Sequence, residues 1–78
     1  MKLQDIRKAA GLSQAKLATL SGVKLRTIQE YEYGRKKVDS ARINTITLLA
    51  EALQVPMYEL MEDSELAEKV KKNLKRGV

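Results

Sequence analysis

Between Leu12 and Gly34 the chain carries two short amphipathic patterns joined by a turn that contains Gly22. In the first, Leu17, Ala18 and Leu20 recur at helical spacing behind Ser13, whose hydroxyl suits an N-cap because it can accept a hydrogen bond from a free first-turn amide. Gly22 breaks that run where a positive φ costs little. In the second, stepping about 100° per residue from Ile28 as the centre of the buried face places Tyr31, Glu32 and Lys24 within a turn's width of it. Arg26, Gln29, Glu30 and Tyr33 fall opposite, and Leu25 and Thr27 lie on the flanks. The second helix therefore has an apolar back and a front bearing a guanidinium, an amide, a carboxylate and a phenol. Such a front suits the edges of bases better than it suits a core.

The remaining apolar pattern predicts a scaffold. Leu3, Ile6 and Ala10 line one side of a first helix that Gly11 ends, and Ile43, Ile46, Leu49, Ala50 and Leu53 form one buried stripe on a fourth. Pro56, tolerated near a helix start or in a turn, separates that stripe from a short fifth helix in which Met57, Leu60 and Met61 close the core. Val38 is expected to tuck inward, with Asp39 or Ser40 capping the helix after it. These stripes are read as core rather than as a cofactor pocket. Beyond Asp63 the character changes: Leu66, Val70 and Leu74 stand at four-residue spacing among Lys69, Lys71, Lys72, Lys75 and Arg76. That pattern fits a terminal helix, a dimer element or a basic tail, and divides the chain into a domain over 1–63 and a C-terminal element over 64–78.

Composition adds a charge distribution. A chain of 78 residues has room for one domain, which buries only about 60% of the surface its unfolded form exposes. The formal charge of +5 is uneven: residues 1–40 hold nine Lys and Arg against four Asp and Glu, residues 41–63 one against four, and residues 64–78 five against two. Arg35, Lys36 and Lys37 follow directly on the second patterned helix, where a loop would pass a phosphate backbone. No apolar run is long enough to span a bilayer, and no helix combines a broad apolar face with a dense basic one, so no membrane partner is expected. Met1 to Gly11 lacks the apolar stretch of a signal peptide, and cysteine is absent; the expected location is cytoplasmic. With no His or Cys, no glycine-rich phosphate loop and no acid–base spacing among Asp5, Glu30, Glu32 and Asp39, the chain reads as a non-enzyme without metal or cofactor.

Two short helices held at a steep angle let the second project a polar edge into the major groove while the first braces it against phosphates. From Leu3 to Leu60 the chain resembles the phage-repressor and Cro-like, or XRE-type, helix-turn-helix regulators. The resemblance is carried in order by Ile6-Arg7, Gly11-Leu12-Ser13-Gln14, Leu17-Ala18, Gly22-Val23, Thr27-Ile28, Glu32 with Gly34, Ile46, Leu49-Ala50, Ala52-Leu53 and Val55. It implies an all-α, compact five-helix, lambda-repressor-like domain whose recognition helix begins near Lys24, with a further C-terminal helix or tail. It also implies that Arg7 and Glu32 pair between the first and third helices, and that Gln14 touches a phosphate.

On that footing Arg26 and Gln29 are expected to read base edges, Arg to guanine and Gln to adenine. Tyr33 is a base contact or, more naturally, a phosphate or sugar contact, and Leu25 stands where relatives often carry a polar base contact. Gln14, Lys24, Thr27, Arg35, Lys36 and Lys37 are expected to hold the phosphodiester backbone. Lys24 replaces the family's usual Ser or Thr, so a capping oxygen is lost and a cation opposes the helix dipole; a bound phosphate would offset both. Glu30 can accept from cytosine N4 or pair with Arg26 one turn back. The implied partner is duplex DNA bearing an inverted repeat, bound by a homodimer with half-sites about 34 Å apart, and the implied role is transcriptional repression. A reading of another class stays open: a helix-turn-helix antitoxin or adaptor contacting a protein, which Leu25 and Glu30 on the groove face favour.

Overall fold

The computed structural model describes residues 2–76, and of residues 74–76 the backbone only. In chain order it contains α1 (Lys2–Ala9), α2 (Gln14–Ser21), α3 (Leu25–Glu32), a 3-10 turn (Val38–Ser40), α4 (Ile43–Leu53), a second 3-10 turn (Met57–Leu60) and α5 (Ser64–Arg76). The all-α architecture expected from the pattern is the one that forms, with no strand among the described residues.

Local chemistry explains where the helices start and stop. Ser13 stays extended and its Oγ accepts from the Lys16 N–H at 3.0 Å, which caps α2. Gly22 then takes φ +77°, and its N–H bonds back to the Ala18 carbonyl at 2.9 Å. The left-handed region is open to glycine because no Cβ meets the following carbonyl. At the end of α3, Gly34 adopts φ +80°. There the Arg35 N–H reaches the Glu30 carbonyl at 2.9 Å and the Gly34 N–H reaches that of Tyr31 at 3.2 Å, the pair of bonds of a Schellman stop. The same pattern ends α4, where Val55 bonds to Ala50 and Gln54 to Glu51. Here Gln54, not a glycine, takes the positive φ of 58°.

Leu3, Leu17, Ile28, Leu49 and Leu60 are the largest fully buried side chains, one from each of α1 to α4 and one from the second 3-10 turn. Val23, Tyr31, Val38, Ile46, Ala50 and Leu53 complete the cluster. Val38 tucks in as expected, 2% exposed. The second 3-10 turn supports both α4 and α1, and α5 lies against it.

Several expectations are corrected. The short fifth helix is a single four-residue 3-10 turn: Pro56 starts it, and Met61 returns to extended backbone before an α-helical turn can propagate. α1 ends at Ala9, which leaves Ala10 exposed in the following turn rather than on the buried side. Leu20 and Ile43 are 53% and 60% exposed, because each sits on the flank of its helix, away from the face centred on Leu17 or on Ile46 and Leu49–Ala50. Lys24 precedes the first helical residue of α3, so helical stepping does not apply to it, and its side chain is exposed rather than near the buried face. Neither Asp39 nor Ser40 caps α4; the N-cap is Arg42, with no side-chain bond. The cap of α3 is likewise empty at Lys24, as its side-chain chemistry requires. For Leu74, Lys75 and Arg76, the side chains expected to extend the apolar stripe and basic character of the C-terminus lie outside the described residues, as do Gly77 and Val78.

Candidate nucleic-acid interface

A buried polar network joins α1 and the α1–α2 turn to the end of α3. Arg7 on α1 donates from Nε to Glu32 Oε2 at 2.7 Å and from Nη2 to Glu32 Oε1 at 2.9 Å. Its Nη1 donates to the Leu12 carbonyl at 2.7 Å, and the Gln14 amide donates to Glu32 Oε1 at 3.0 Å. Arg7 and Glu32 are 7% and 4% exposed, so two charges have left water, and no buried side-chain polar atom among the described residues lacks a partner. Burial by itself would raise the Glu32 pKa, but hydrogen bonds from Arg7 and Gln14 with the charges of Arg7 and Lys8 hold it below the usual carboxylate range. The hydrogen bond to Glu32 raises the Arg7 pKa against the opposing effect of burial. A bidentate guanidinium–carboxylate pair tolerates little change of orientation, so α1, the α1–α2 turn, the start of α2 and the end of α3 form one braced unit.

Against this brace α3 buries Ile28, Tyr31 and Glu32 and turns its other side outward. Burial, helped by the negative charge of Glu30, raises the Tyr31 phenol pKa above its ordinary value. Lys24, Arg26 and Tyr33 are exposed, Leu25 is 39% exposed, and Thr27, Gln29 and Glu30 are half-buried. Arg35, Lys36 and Lys37 follow as an exposed run, started by the Arg35 and Lys36 N–H groups, which both bond to the Glu30 carbonyl. Glu30 pairs with Lys36 at 3.5 Å rather than with Arg26, because the Schellman stop folds the loop back over the last turn of α3. Of the residues expected to read bases, Leu25, Arg26 and Gln29 thus lie on α3, whereas Tyr33, expected on the same helix, is its C-cap just past the last helical residue; none of the four belongs to the core cluster. Lys24 precedes them in sequence, Thr27 lies between Arg26 and Gln29, and the three loop cations follow after Gly34. Gln14 is the exception, since its amide already serves Glu32 and leaves one N–H and the carbonyl oxygen for other partners.

Three contributors escaped the sequence pattern. Ser21 is buried, and its Oγ accepts from the Val23 N–H at 3.1 Å, closing the turn between α2 and α3. A Ser two residues before an N–H in a glycine turn is a detectable signal for such a bond. The Leu12 carbonyl that receives Arg7 carries none. Asp39 accepts from the Glu62 and Asp63 N–H groups, each at 2.8 Å, a pairing across the fold that no local pattern announces.

Two short helices meeting at a left-handed glycine, the second with a polar front and a cationic loop behind it, define a helix-turn-helix nucleic-acid-binding fold. A family model described as "Helix-turn-helix" matches residues 3–60, and the chain belongs to that family, the XRE-type helix-turn-helix DNA-binding proteins. No curated protein and no solved structure gives a significant match. The family is one of DNA-binding, non-enzymatic regulators.

Proposed function

We propose that this protein is a sequence-specific duplex-DNA-binding repressor that acts in the cytoplasm as a homodimer on an inverted repeat, without catalytic activity. The observation that carries the reading is the braced α3: the Arg7–Glu32 pair locks the back of the helix while Arg26, Gln29 and Tyr33 stay outside the core. In this reading Arg26 and Gln29 discriminate bases by bidentate bonds, each worth about 1–3 kcal/mol, with Leu25 and Tyr33 beside them at the groove. Lys24, Thr27, Arg35, Lys36 and Lys37 grip phosphates, and Gln14 contributes through its remaining amide valences and the free N–H groups of the first turn of α2. Residues 1–63 form the DNA-binding domain and residues 64–78 a separate C-terminal element.

Dimerisation is supported by size and by surface chemistry. α3 has eight residues and is therefore about 12 Å long, enough for only part of an operator. On α4 the exposed positions Ile43, Asn44, Thr47, Leu48 and Glu51 include a single charge, a charge-poor strip of the kind found at interface cores. Selection from a random duplex pool at two salt concentrations tests the function. An enriched inverted repeat that binds more weakly at higher salt is expected, with log K falling by about 0.9 per neutralised phosphate per unit of log salt. The exposed Leu25 and the Glu30–Lys36 pair favour a second reading, a protein-binding antitoxin or adaptor. Failure to recover any sequence, with only weak salt-labile binding, would support it instead.

A further inference from the structure

Asp39 stands two residues after the Arg35-Lys36-Lys37 run, in a segment proposed to follow a phosphate backbone. A free carboxylate there would repel the ligand. Instead both oxygens are bound: Oδ1 accepts from the Glu62 N–H and Oδ2 from the Asp63 N–H, each at 2.8 Å. Charge-assisted bonds of this kind are about twice as strong as neutral ones. Asp63 continues the chain, its Oδ1 accepting from the Glu65 and Leu66 N–H groups at 3.0 and 3.1 Å as α5 begins. Two carboxylates therefore link the basic loop to the start of α5. That helix is held in turn on the second 3-10 turn, where Lys71 Nζ lies 5.6 Å from the centre of the Tyr58 ring.

The loop has few other restraints. Its near end is fixed by the Arg35 and Lys36 N–H bonds to the Glu30 carbonyl and its far end by buried Val38. Beyond Val38, an open cavity of about 500 Å³ lined by Lys37, Asp39, Ser40, Glu62, Asp63 and Leu66 lies at the joint with α5, so hydrogen bonds rather than close packing join the two segments. Ordering a loop at the moment of binding weakens affinity by the entropy lost. A loop already fastened at both ends avoids that loss.

We propose that Asp39 is a positioning residue for DNA binding: its doubly bonded carboxylate ties the Arg35–Lys37 segment to the start of α5 and holds those cations ready for phosphates. The inference rests on the DNA-binding reading above and makes a prediction of opposite sign to simple electrostatics. If Asp39 acted only as a charge, removing it beside a polyanion would tighten binding; if it acts as a clamp, removing it loosens binding.

The test compares the full chain with Asp39→Asn and Asp39→Ala, measuring affinity for a selected operator duplex and for an unrelated duplex across a salt series. Amide hydrogen exchange at Glu62 and Asp63 is followed in the absence of DNA. Asp39→Ala is expected to weaken both duplexes to a similar degree, about tenfold, as loss of hydrogen bonds to a charged group implies. It should also flatten the salt slope and speed exchange at Glu62 and Asp63. Asp39→Asn, which keeps one acceptor oxygen while losing the charge, is expected to fall between Asp39→Ala and wild type, and stands in for Asp39→Ala if that variant fails to fold. Binding by both variants as tight as wild type, or tighter, overturns the clamp and leaves the function intact. Absence of salt-dependent DNA binding by the wild-type chain overturns both, and protected Glu62 and Asp63 amides would then report a purely structural joint.

Discussion

At the scale of single residues, two positions accept a local cost. Gln54 holds a left-handed conformation at φ 58° at the end of α4, where a side chain costs about 1–2 kcal/mol relative to the right-handed region. Gln54→Gly is expected to raise stability by up to about 1 kcal/mol, after the larger unfolded-state entropy of glycine is discounted; urea denaturation would show it as a higher midpoint at unchanged slope. Lys24 occupies the N-cap of α3 with no capping bond. Lys24→Ser should restore a cap worth about 0.5–2 kcal/mol while removing one cation from the proposed phosphate grip. Thermal stability is therefore expected to rise while DNA affinity falls, with a salt slope shallower by about one. A gain in both would remove Lys24 from the phosphate contacts. Arg26→Ala and Lys36→Ala divide the proposed interface further. The first should flatten base preference at one position by about 1–3 kcal/mol, whereas the second should weaken all duplexes alike, as read from competition titrations with mismatched sites.

At the scale of elements, the Arg7–Glu32 pair joins the end of α3 to α1. Removing one partner leaves the other charged and buried, so Glu32→Ala is expected to cost about 3–5 kcal/mol of unfolding free energy. Arg7→Met with Glu32→Leu removes both charges and should recover much of that stability. The informative readout is operator affinity of the double variant: if it binds as well as wild type, the pair is incidental to recognition, and a loss at full stability shows that the polar geometry orients α3. The family resemblance pointed to the pair from sequence, because Arg7 and Glu32 stand in recognisable motifs. Its third and fourth members, the Gln14 amide and the Leu12 carbonyl, depend on how tightly the α1–α2 turn closes, which no periodicity encodes. The same distinction explains the partner of Glu30. Spacing favoured Arg26 on the same helix, but the chain reversal at Gly34 delivers Lys36.

At the scale of the whole molecule, the buried pair makes stability depend on acidity. The Glu32 pKa is lowered in the folded state from an ordinary value of 4.5, so the native form binds fewer protons than the unfolded chain as the pH falls. The stabilisation from Glu32 is therefore fully present above about pH 4.5 and is lost as the pH drops through the folded-state pKa. Melting temperatures measured from pH 7 down to pH 3 should decline below that point, and Glu32→Gln should remove part of the decline. The all-α class, the two helices about Gly22, the Ser13 cap and most of the core are legible in the residue pattern, because hydrophobic period and cap chemistry act over a few residues and leave their mark locally. The sequence also carried the family, through ordered motifs matched over residues 3–60. That Leu20 and Ile43 face outward, that the segment after Pro56 makes one 3-10 turn, and that Asp39 serves Glu62 and Asp63 instead of α4 emerges only once the helices pack. Each of those outcomes depends on which surfaces meet when the helices pack, and such meetings join residues too far apart in the chain for any local pattern to record.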